Sequence, residues 1–167
     1  MGDIVVTRID NRLIHGQITS RWCGELGINL IIVANDEVAE NFLRQKLLDM
    51  ASPSFVEVSY WSIEKTISEI QSVTMEKKIL LVCETPQDVL KLVKGGAPIK
   101  NISVGNMHMA EGKRRIMDSI AVDDNDISVF EELCKADIDI EIRRVPMEPA
   151  ESINRLFELN SKINKGI

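Results

Sequence analysis

The 167-residue sequence is poor in cysteine and aromatic residues, and it has no long apolar run. Its three cysteines, Cys23, Cys83 and Cys134, are odd in number and far apart, with no C-x-x-C pair. This pattern favours reduced thiols in a cytoplasmic protein over a disulfide framework. The N-terminus has no signal-peptide pattern, and no apolar run approaches the ~20 residues that cross a bilayer. We therefore expect neither secretion nor a membrane span.

An excess of positive charge is also lacking, since 26 acidic residues outnumber 20 basic ones and the net charge is −6. This balance argues against binding to nucleic acid, which requires clustered Lys and Arg. The glycine-rich loops G-x-G-x-x-G and G-x-x-x-x-G-K-[ST] are absent after the first apolar run, which counts against a nucleotide site there. The length and a hydrophobic content of 44% fit one globular domain spanning residues 1–167.

Apolar runs rich in β-branched residues alternate with helical patterns along the chain. The runs predict five strands, at residues 4–6, 30–33, 55–58, 79–82 and 102–104. Several are apolar throughout, as in parallel strands that are buried on both faces. The strict alternation at residues 138–142 instead predicts an edge strand with one face in water. The chain is thus predicted to form an open, doubly wound, mostly parallel twisted sheet, with helices on both faces and an antiparallel edge strand.

Helices between the strands are predicted from apolar spacing and from capping residues. Residues 37–50 are predicted to form one helix, whose apolar face carries Val38, Phe42, Leu43 and Leu47. Thr85 and Pro86 are typical of a helix start, and the glycines at 95 and 96 of a helix end. The acidic pair at 123–124 can cap a helix that carries Ile127, Phe130, Leu133 and Cys134. A last helix is predicted over residues 149–161.

The segment with the most distinctive chemistry is residues 7–17, which directly follow the first predicted strand. It holds His15, one of only two histidines, together with Arg8, Arg12 and Gly16. A neutral imidazole is a nucleophile at cytoplasmic pH, and arginine forks match the geometry of phosphoryl oxygens. Between residues 7 and 21, three arginines accompany one acidic residue, which gives a local charge of +2 in an acidic chain. This combination predicts phosphoryl transfer through a phosphohistidine.

Residues 8–17 resemble the active-site signature of the IIB components of the mannose/fructose/sorbose class of bacterial sugar phosphotransferase systems. The likeness continues, in the same order, through Val104-Gly105-Asn106-Met107, Glu111-Gly112-Lys113, Val122-Asp123 and Val145-Pro146. Residues 33–40 and 104–108 are most similar to the N-acetylgalactosamine or galactosamine branch of that class. Asn11 departs from the family pattern, which usually has Asp at this position.

The resemblance implies that His15 accepts a phosphoryl group from the phosphohistidine of a IIA protein. It then implies transfer to a sugar held by the membrane IIC/IID complex, with transient association at the inner face of the plasma membrane. A homodimer is compatible with the resemblance, and no bound cofactor is required. A metal site is not expected, because two histidines and scattered acids give no recognisable ligand spacing.

Within the signature, Arg12 is predicted to be the main clamp on the phosphoryl oxygens, because it lies in the loop itself. Arg8 is predicted to be a second clamp, and Asp10 to orient His15 or an arginine. As an exposed loop residue, Arg12 is expected to contribute less than ~0.5 kcal/mol to stability. Further candidates around the phosphoryl group are Asn11, Gly16, Gln17, Gly105, Asn106, Met107 and His108.

The second segment of candidates, residues 105–108, is expected beside His15 because the carboxyl ends of parallel strands meet at one edge of the sheet. Residues 83–85 are expected at the same edge. Gly105 is predicted to direct backbone N–H groups toward the phosphoryl group, as in an anion nest, although an ordinary turn is the alternative. His108 fits a supporting role and an exposed position without function equally well.

Two other functions remain open from the residues alone. The first is a flavodoxin-like regulatory module that binds a phosphate or a nucleotide without catalysis. The second is a hydrolase that uses His15 as a base, with Cys83 or Ser103 as the nucleophile. For Cys83 itself, a buried structural thiol is the favoured interpretation, since nothing basic flanks it in the sequence.

Overall fold

The structure, a computed structural model, describes residues 1–166, which contain nine strands, seven α-helices and one 3-10 helix (Ile70–Ser72). The strands are β1 (Asp3–Asp10), β2 (Leu30–Ala34), β3 (Glu57–Trp61), β4 (Lys78–Cys83), β5 (Asn101–Asn106), β6 (Arg114–Met117), β7 (Ile120–Val122), β8 (Asp139–Ile142) and β9 (Glu151–Ser152). The helices are α1 (Gly16–Leu26), α2 (Asp36–Glu40), α3 (Phe42–Ala51), α4 (Ile63–Glu69), α5 (Pro86–Lys94), α6 (Asp124–Lys135) and α7 (Ile153–Asn164). Each helix in these residues is too short or too polar to cross a membrane.

Seven strands form one sheet in the order β3-β2-β4-β1-β5-β8-β9. The first six are parallel to their neighbours, and only β9 is antiparallel, against β8. The predicted fold class is therefore confirmed. The edge itself differs from the prediction: residues 139–142 form β8, which has β5 on one side and β9 on the other. The two-residue β9 is the edge strand instead.

The core lies on both faces of this sheet. Strand β2 is buried along its whole length and β4 along all but its first residue, which explains why both read as continuous apolar runs. One face packs against α1, α2 and α3 through Trp22, Cys23, Val38 and Leu48. The other face packs against the later helices through Ile63, Val89, Leu92, Phe130, Leu133 and Leu156. Helices thus cover both faces, as a doubly wound sheet requires.

The single helix predicted over residues 37–50 is wrong, because Asn41 divides it into α2 and α3. Asn41 has extended backbone angles, and its side chain accepts a hydrogen bond from the Arg44 amide at 3.0 Å, which starts α3. Its own amide bonds back to the Val38 carbonyl and ends α2. The predicted apolar face is also wrong: Phe42, Leu43 and Leu47 point to solvent.

The other boundaries agree with the predictions only in part. Thr85 caps α5 with Pro86 at its first position, and Asp123 caps α6 in a reciprocal capping box, both as predicted. Strand β3 starts two residues later than predicted, and α7 starts at residue 153 after the Ser152 cap. The hairpin β6–β7 was not predicted. Strand β1 runs on to residue 10 and β5 to residue 106, so several candidate residues lie in strands, not loops.

Candidate active site

The candidate site lies at the carboxyl edge of the sheet, where β1 sits between β4 and β5. Ile9 pairs with Cys83 and with Val104, so all three strands end at the same level. The loop at residues 11–15 therefore emerges between residues 84–85 and residues 106–108. This arrangement confirms the expectation that three segments meet at one edge.

His15 is exposed and stands directly before α1. Its backbone is fixed, because its amide donates to Thr19 Oγ1 at 2.9 Å and its carbonyl accepts from the amides of Ile18 and Thr19. Its imidazole makes no capping hydrogen bond. The amides of Gly16 and Gln17 stay at the open end of α1, where helix amides and the helix dipole favour an anion. A phosphoryl group on His15 would be stabilised there.

The loop before His15 is held in an unusual backbone conformation. Leu13 has a φ of 64°, in the left-handed region that bulky residues rarely adopt. Its side chain is nevertheless buried, and its amide donates to the Asp10 carbonyl at 2.8 Å. Such a conformation costs on the order of 1–3 kcal/mol, so the packing around Leu13 must hold it. The loop is thus a fixed turn between β1 and α1.

Asp10 is the centre of the charged groups behind His15. Its carboxylate is only 1% exposed, and it accepts hydrogen bonds from Arg12 N at 3.0 Å, Arg12 Nε at 2.9 Å and Arg12 Nη2 at 2.9 Å. Arg8 Nη2 approaches the same carboxylate at 3.4 Å. Asp10 therefore fixes the fork of Arg12, while about a third of the Arg12 side chain stays exposed. That exposed part is available to phosphoryl oxygens.

Arg8 does not lie where a phosphoryl clamp would be needed. It lies within β1, is 3% exposed, and donates from Nη1 to the Arg143 carbonyl at 3.0 Å. Its guanidinium also stacks over the Trp22 ring, with Cζ 5.2 Å from the ring centre. Burial lowers the pKa of Arg8, and the Asp10 carboxylate opposes that shift. We therefore revise the prediction that Arg8 is a second clamp. Arg8 instead holds the Asp10 carboxylate in place from within the core.

The same contacts revise the expected role of Arg12 in stability. When a buried carboxylate loses a charged hydrogen-bond partner, the free energy of unfolding falls, because water cannot replace the lost hydrogen bonds. Arg12 supplies three hydrogen bonds to the buried Asp10, one from its backbone amide and two from its guanidinium, and replacement of the side chain removes the two from the guanidinium. Its loss should therefore destabilise the fold, although the residue lies in a loop.

Gly105 lies within β5, where it makes space for Arg8. A Cβ atom at this position would lie 2.0 Å from Arg8 Nη2 and 2.2 Å from Arg8 Cζ. Of the backbone amides that follow Gly105, that of Met107 donates to the Ser119 carbonyl at 2.8 Å, so this amide is not available to a phosphoryl group. The need for glycine is therefore steric and concerns the buried arginine.

Asn11 joins the loop after β1 to the segment after β5. Its Oδ1 accepts from Asn106 Nδ2 at 2.5 Å, and its Nδ2 contacts His108 Nδ1. Asn11 and His108 border a cavity of about 110 Å³ whose other lining residues are Glu84, Thr85, Pro86, Met107, Lys113 and Asp126. Met107, predicted as a candidate beside the phosphoryl group, is buried against the core, where its side chain packs.

Sequence reasoning missed the residues that support the site from a distance. The Arg143 carbonyl binds Arg8, and the Arg144 carbonyl accepts from Trp22 Nε1 at 3.0 Å. No local signal marks these contacts, because they are backbone acceptors more than 120 residues away along the chain. Trp22 is 2% exposed, so it packs in the core and is not an anchor for a partner.

The hydrolase alternative conflicts with the burial of its nucleophiles. Cys83 and Ser103 are both fully buried, and burial raises the pKa of the Cys83 thiol. A buried, protonated thiol can neither reach an external substrate nor attack it as a thiolate.

Comparison with known proteins decides the family. Residues 4–166 match the family described as the PTS system sorbose subfamily IIB component. The chain belongs to this family. The N-acetylgalactosamine-specific phosphotransferase enzyme IIB component 2 of Escherichia coli (strain K12) is 46% identical over 157 residues, covering 94% of this chain and 100% of that protein.

Two further relatives support the assignment. The crystal structure of the PTS system N-acetylgalactosamine-specific IIB component 1 from Escherichia coli has a TM-score of 0.87 at 39% identity, covering 90% of this chain and 99% of that chain. The PTS system mannose-specific EIIAB component of Escherichia coli (strain K12) is 35% identical over 163 residues, which are 97% of this chain and 50% of that protein. This IIB chain is thus a phosphotransferase of a sugar transport system, and a flavodoxin-like regulatory module is not favoured.

Proposed function

We propose that this IIB chain accepts a phosphoryl group on His15 from the phosphohistidine of a IIA protein and passes it to a sugar held by the membrane IIC/IID complex. The observation that carries the proposal is the exposed imidazole of His15 at the open end of α1, three residues after an arginine that a buried carboxylate fixes. Nucleophile, anion-binding amides and cation come from one short loop.

In the first transfer, a ring nitrogen of neutral His15 attacks the phosphorus of the donor. The P–N bond to the donor imidazole breaks as the P–N bond to His15 forms, and the proton lost by His15 ends on the donor imidazole. The transition state spreads negative charge over three equatorial oxygens. The exposed part of Arg12 and the amides of Gly16 and Gln17 can stabilise this charge without rearrangement.

In the second transfer, a sugar hydroxyl oxygen attacks the phosphorus of phospho-His15. The P–N bond breaks, a P–O bond forms, and the hydroxyl proton returns to the imidazole. Because His15 is exposed and its backbone is fixed, it can serve two partners in turn with the same loop geometry. We infer short-lived encounters at the cytoplasmic face of the membrane.

The sugar that we propose is N-acetylgalactosamine or galactosamine. Two relatives, 46% and 40% identical, are N-acetylgalactosamine-specific IIB components, and both align over at least 90% of this chain. A solved relative with a similar fold, the IIBSor domain of the sorbose permease from Klebsiella pneumoniae, is named for another sugar and is only 30% identical. The proposal also includes a homodimer, which is compatible with the family resemblance; the exposed apolar side chains of α3, among them Phe42 and Leu47, are available to such an interface.

Reconstitution tests the transfer and the sugar together. The purified chain is phosphorylated by its IIA protein and mixed with vesicles that contain IIC and IID, and sugar phosphate is measured for each sugar. N-acetylgalactosamine or galactosamine should consume the phosphoryl group faster than mannose. His15→Ala should yield no sugar phosphate, and Met75→Ala, a control at an exposed position before β4 and away from the carboxyl edge of the sheet, should retain transfer. Equal transfer to all sugars would contradict the sugar assignment, and full transfer by His15→Ala would contradict the mechanism.

A further inference from the structure

Thr19, in the second turn of α1, binds the backbone of His15 at both of its polar groups. Thr19 Oγ1 accepts a hydrogen bond from the His15 amide at 2.9 Å, and the Thr19 amide donates to the His15 carbonyl at 3.2 Å. The Thr19 side chain is buried, so water competes little for its hydroxyl oxygen. The backbone of the proposed nucleophile is therefore held by one buried side chain of the helix that follows it.

A second threonine shows that the direction of this hydrogen bond is unusual. Thr66 has the same place in α4 as Thr19 has in α1, four residues after the N-cap residue, which is Ser62 in α4 and His15 in α1. Thr66 Oγ1 donates to the Ser62 carbonyl at 2.8 Å, the common bond of a helical threonine to the carbonyl four residues earlier. Thr19 Oγ1 instead accepts from the amide of the N-cap residue. The hydroxyl of Thr19 thus holds a group that Thr66 does not touch.

His15 also departs from an ordinary N-cap residue. Its backbone has a φ of −131° and a ψ of 85°, whereas Ser62 has a φ of −64° and a ψ of 163°, in the extended region that N-cap residues prefer. The Ser62 side chain caps α4 by accepting from the Lys65 amide at 3.0 Å, but the His15 imidazole makes no capping bond. The bond from Thr19 therefore takes the place of a side-chain cap, and the imidazole stays free to react.

The turn before His15 is anchored to β1 instead of α1. Asp10 accepts from the Arg12 amide at 3.0 Å through its carboxylate and from the Leu13 amide at 2.8 Å through its carbonyl. The bond to Thr19 joins the other end of this turn to the open amides of α1. Reacting atoms must lie about 3–3.5 Å apart and in line, so a displacement of about 1 Å slows transfer by roughly a hundredfold.

We propose that Thr19 is a positioning residue for phosphoryl transfer. Its hydroxyl oxygen holds the His15 amide, and through it the imidazole, in a productive position relative to the open amides of α1 and to Arg12. Thr19 acts through His15 and takes no part in making or breaking bonds. This proposal rests on the proposed function of His15 and adds a residue on which the rate depends.

The test compares Thr19→Val with Thr19→Ser in single-turnover phosphorylation over a range of concentrations of phosphorylated IIA. Valine keeps the branched shape but removes the acceptor, whereas serine keeps the hydroxyl. We expect the maximal rate to fall roughly ten- to a hundredfold in Thr19→Val. The IIA concentration at half-maximal rate should stay within about twofold of the wild type, because a buried side chain does not contact the donor. Thr19→Ser should recover the rate to within about threefold.

Thr66→Val is the matched control, because it removes the hydroxyl of a buried threonine at the same helix position, beside the edge strand β3. It should accept the phosphoryl group at the wild-type rate. Hydrogen exchange adds a structural measurement on the same samples. In Thr19→Val the His15 amide should exchange roughly tenfold faster, while the amides of β4 exchange as in the wild type. If the valine variant does not fold, Thr19→Ala, which also lacks the acceptor, replaces it.

Three results would overturn the proposal: a folded Thr19→Val that accepts at the wild-type rate, a Thr19→Ser as slow as Thr19→Val, or an equal loss in Thr66→Val. The phosphoryl group is mapped in the wild-type chain in the same experiment. If it lies on His15 while Thr19→Val reacts normally, the proposed function stands and only the role of Thr19 is lost. A label on another residue would instead refute the proposed function itself.

Discussion

Replacing Gly105 with alanine tests whether the space that this glycine leaves for Arg8 is needed to keep Arg8, Asp10 and Arg12 in place. The new methyl group would lie 2.0 Å from Arg8 Nη2 and 2.2 Å from Arg8 Cζ, well inside contact distance. Arg8 cannot move away freely, because it is buried, stacked on Trp22 and bonded to the Arg143 carbonyl. The clash must therefore be relieved by displacing the guanidinium or the strand.

Overpacking of this kind costs about 1–3 kcal/mol. For a chain of this length, each kcal/mol lowers the melting temperature by about 2–4 °C, so we expect Gly105→Ala to melt roughly 2–12 °C lower. Displacement of Arg8 also weakens its contact with Asp10, which in turn holds Arg12. We therefore expect the rate of phosphoryl acceptance per folded molecule to fall by about tenfold, equivalent to ~1.4 kcal/mol.

Thermal unfolding and acceptance from phosphorylated IIA measure the two effects separately. Gly24→Ala is the matched control, because Gly24 is exposed within α1 and an added Cβ meets nothing within 4 Å. Alanine should raise stability there by about 0.5–1 kcal/mol, since glycine is unfavourable inside a helix. If Gly105→Ala is as stable as the wild type and transfers at the same rate, the steric account of Gly105 and Arg8 is wrong.

Arg12→Ala should lower the free energy of unfolding by about 1–3 kcal/mol, because it leaves a buried carboxylate short of partners. It should also slow acceptance of the phosphoryl group by roughly 30- to 1,000-fold. An unchanged melting curve would refute the stability prediction. Asn11→Asp replaces the amide Nδ2 that contacts His108 Nδ1 with an oxygen, and we expect the rate of acceptance from phosphorylated IIA to change by less than about tenfold; a larger loss would show that Asn11 holds the loop through its amide. Burial raises the pKa of the two buried thiols, Cys23 and Cys83. Iodoacetamide at neutral pH should therefore modify the exposed Cys134 alone until the chain unfolds, as counted by mass spectrometry.

The parts of the fold that sequence predicts correctly are those with local causes. Strands β2 and β4 are buried on both faces, so burial alone demands continuous apolar runs. Thr85 and Asp123 cap their helices through hydrogen bonds to amides three residues away. The position of His15 at the carboxyl edge follows in the same way from the order of strand and helix.

The features that the sequence does not predict depend on residues far away along the chain, or on the molecule that contacts a surface. Helical spacing in α3 shows that one face is apolar, but it does not state whether the core or another molecule covers that face. Arg8 carries the same fork as Arg12, and contacts that the local sequence does not show, such as the one with the Arg143 carbonyl 135 residues away, make it structural. For the same reason Gly105 resembles a loop glycine until the buried guanidinium beside it is known.

Whether His15 is the phosphoryl carrier is decided by locating the phosphoryl group after incubation with phosphorylated IIA. We predict one acid-labile, base-stable phosphoryl group per chain, mapped by mass spectrometry to His15, and none on His15→Ala. Phosphorylation of His15→Ala, or a label that maps to His108 or Cys83 in the wild-type chain, would contradict the mechanism.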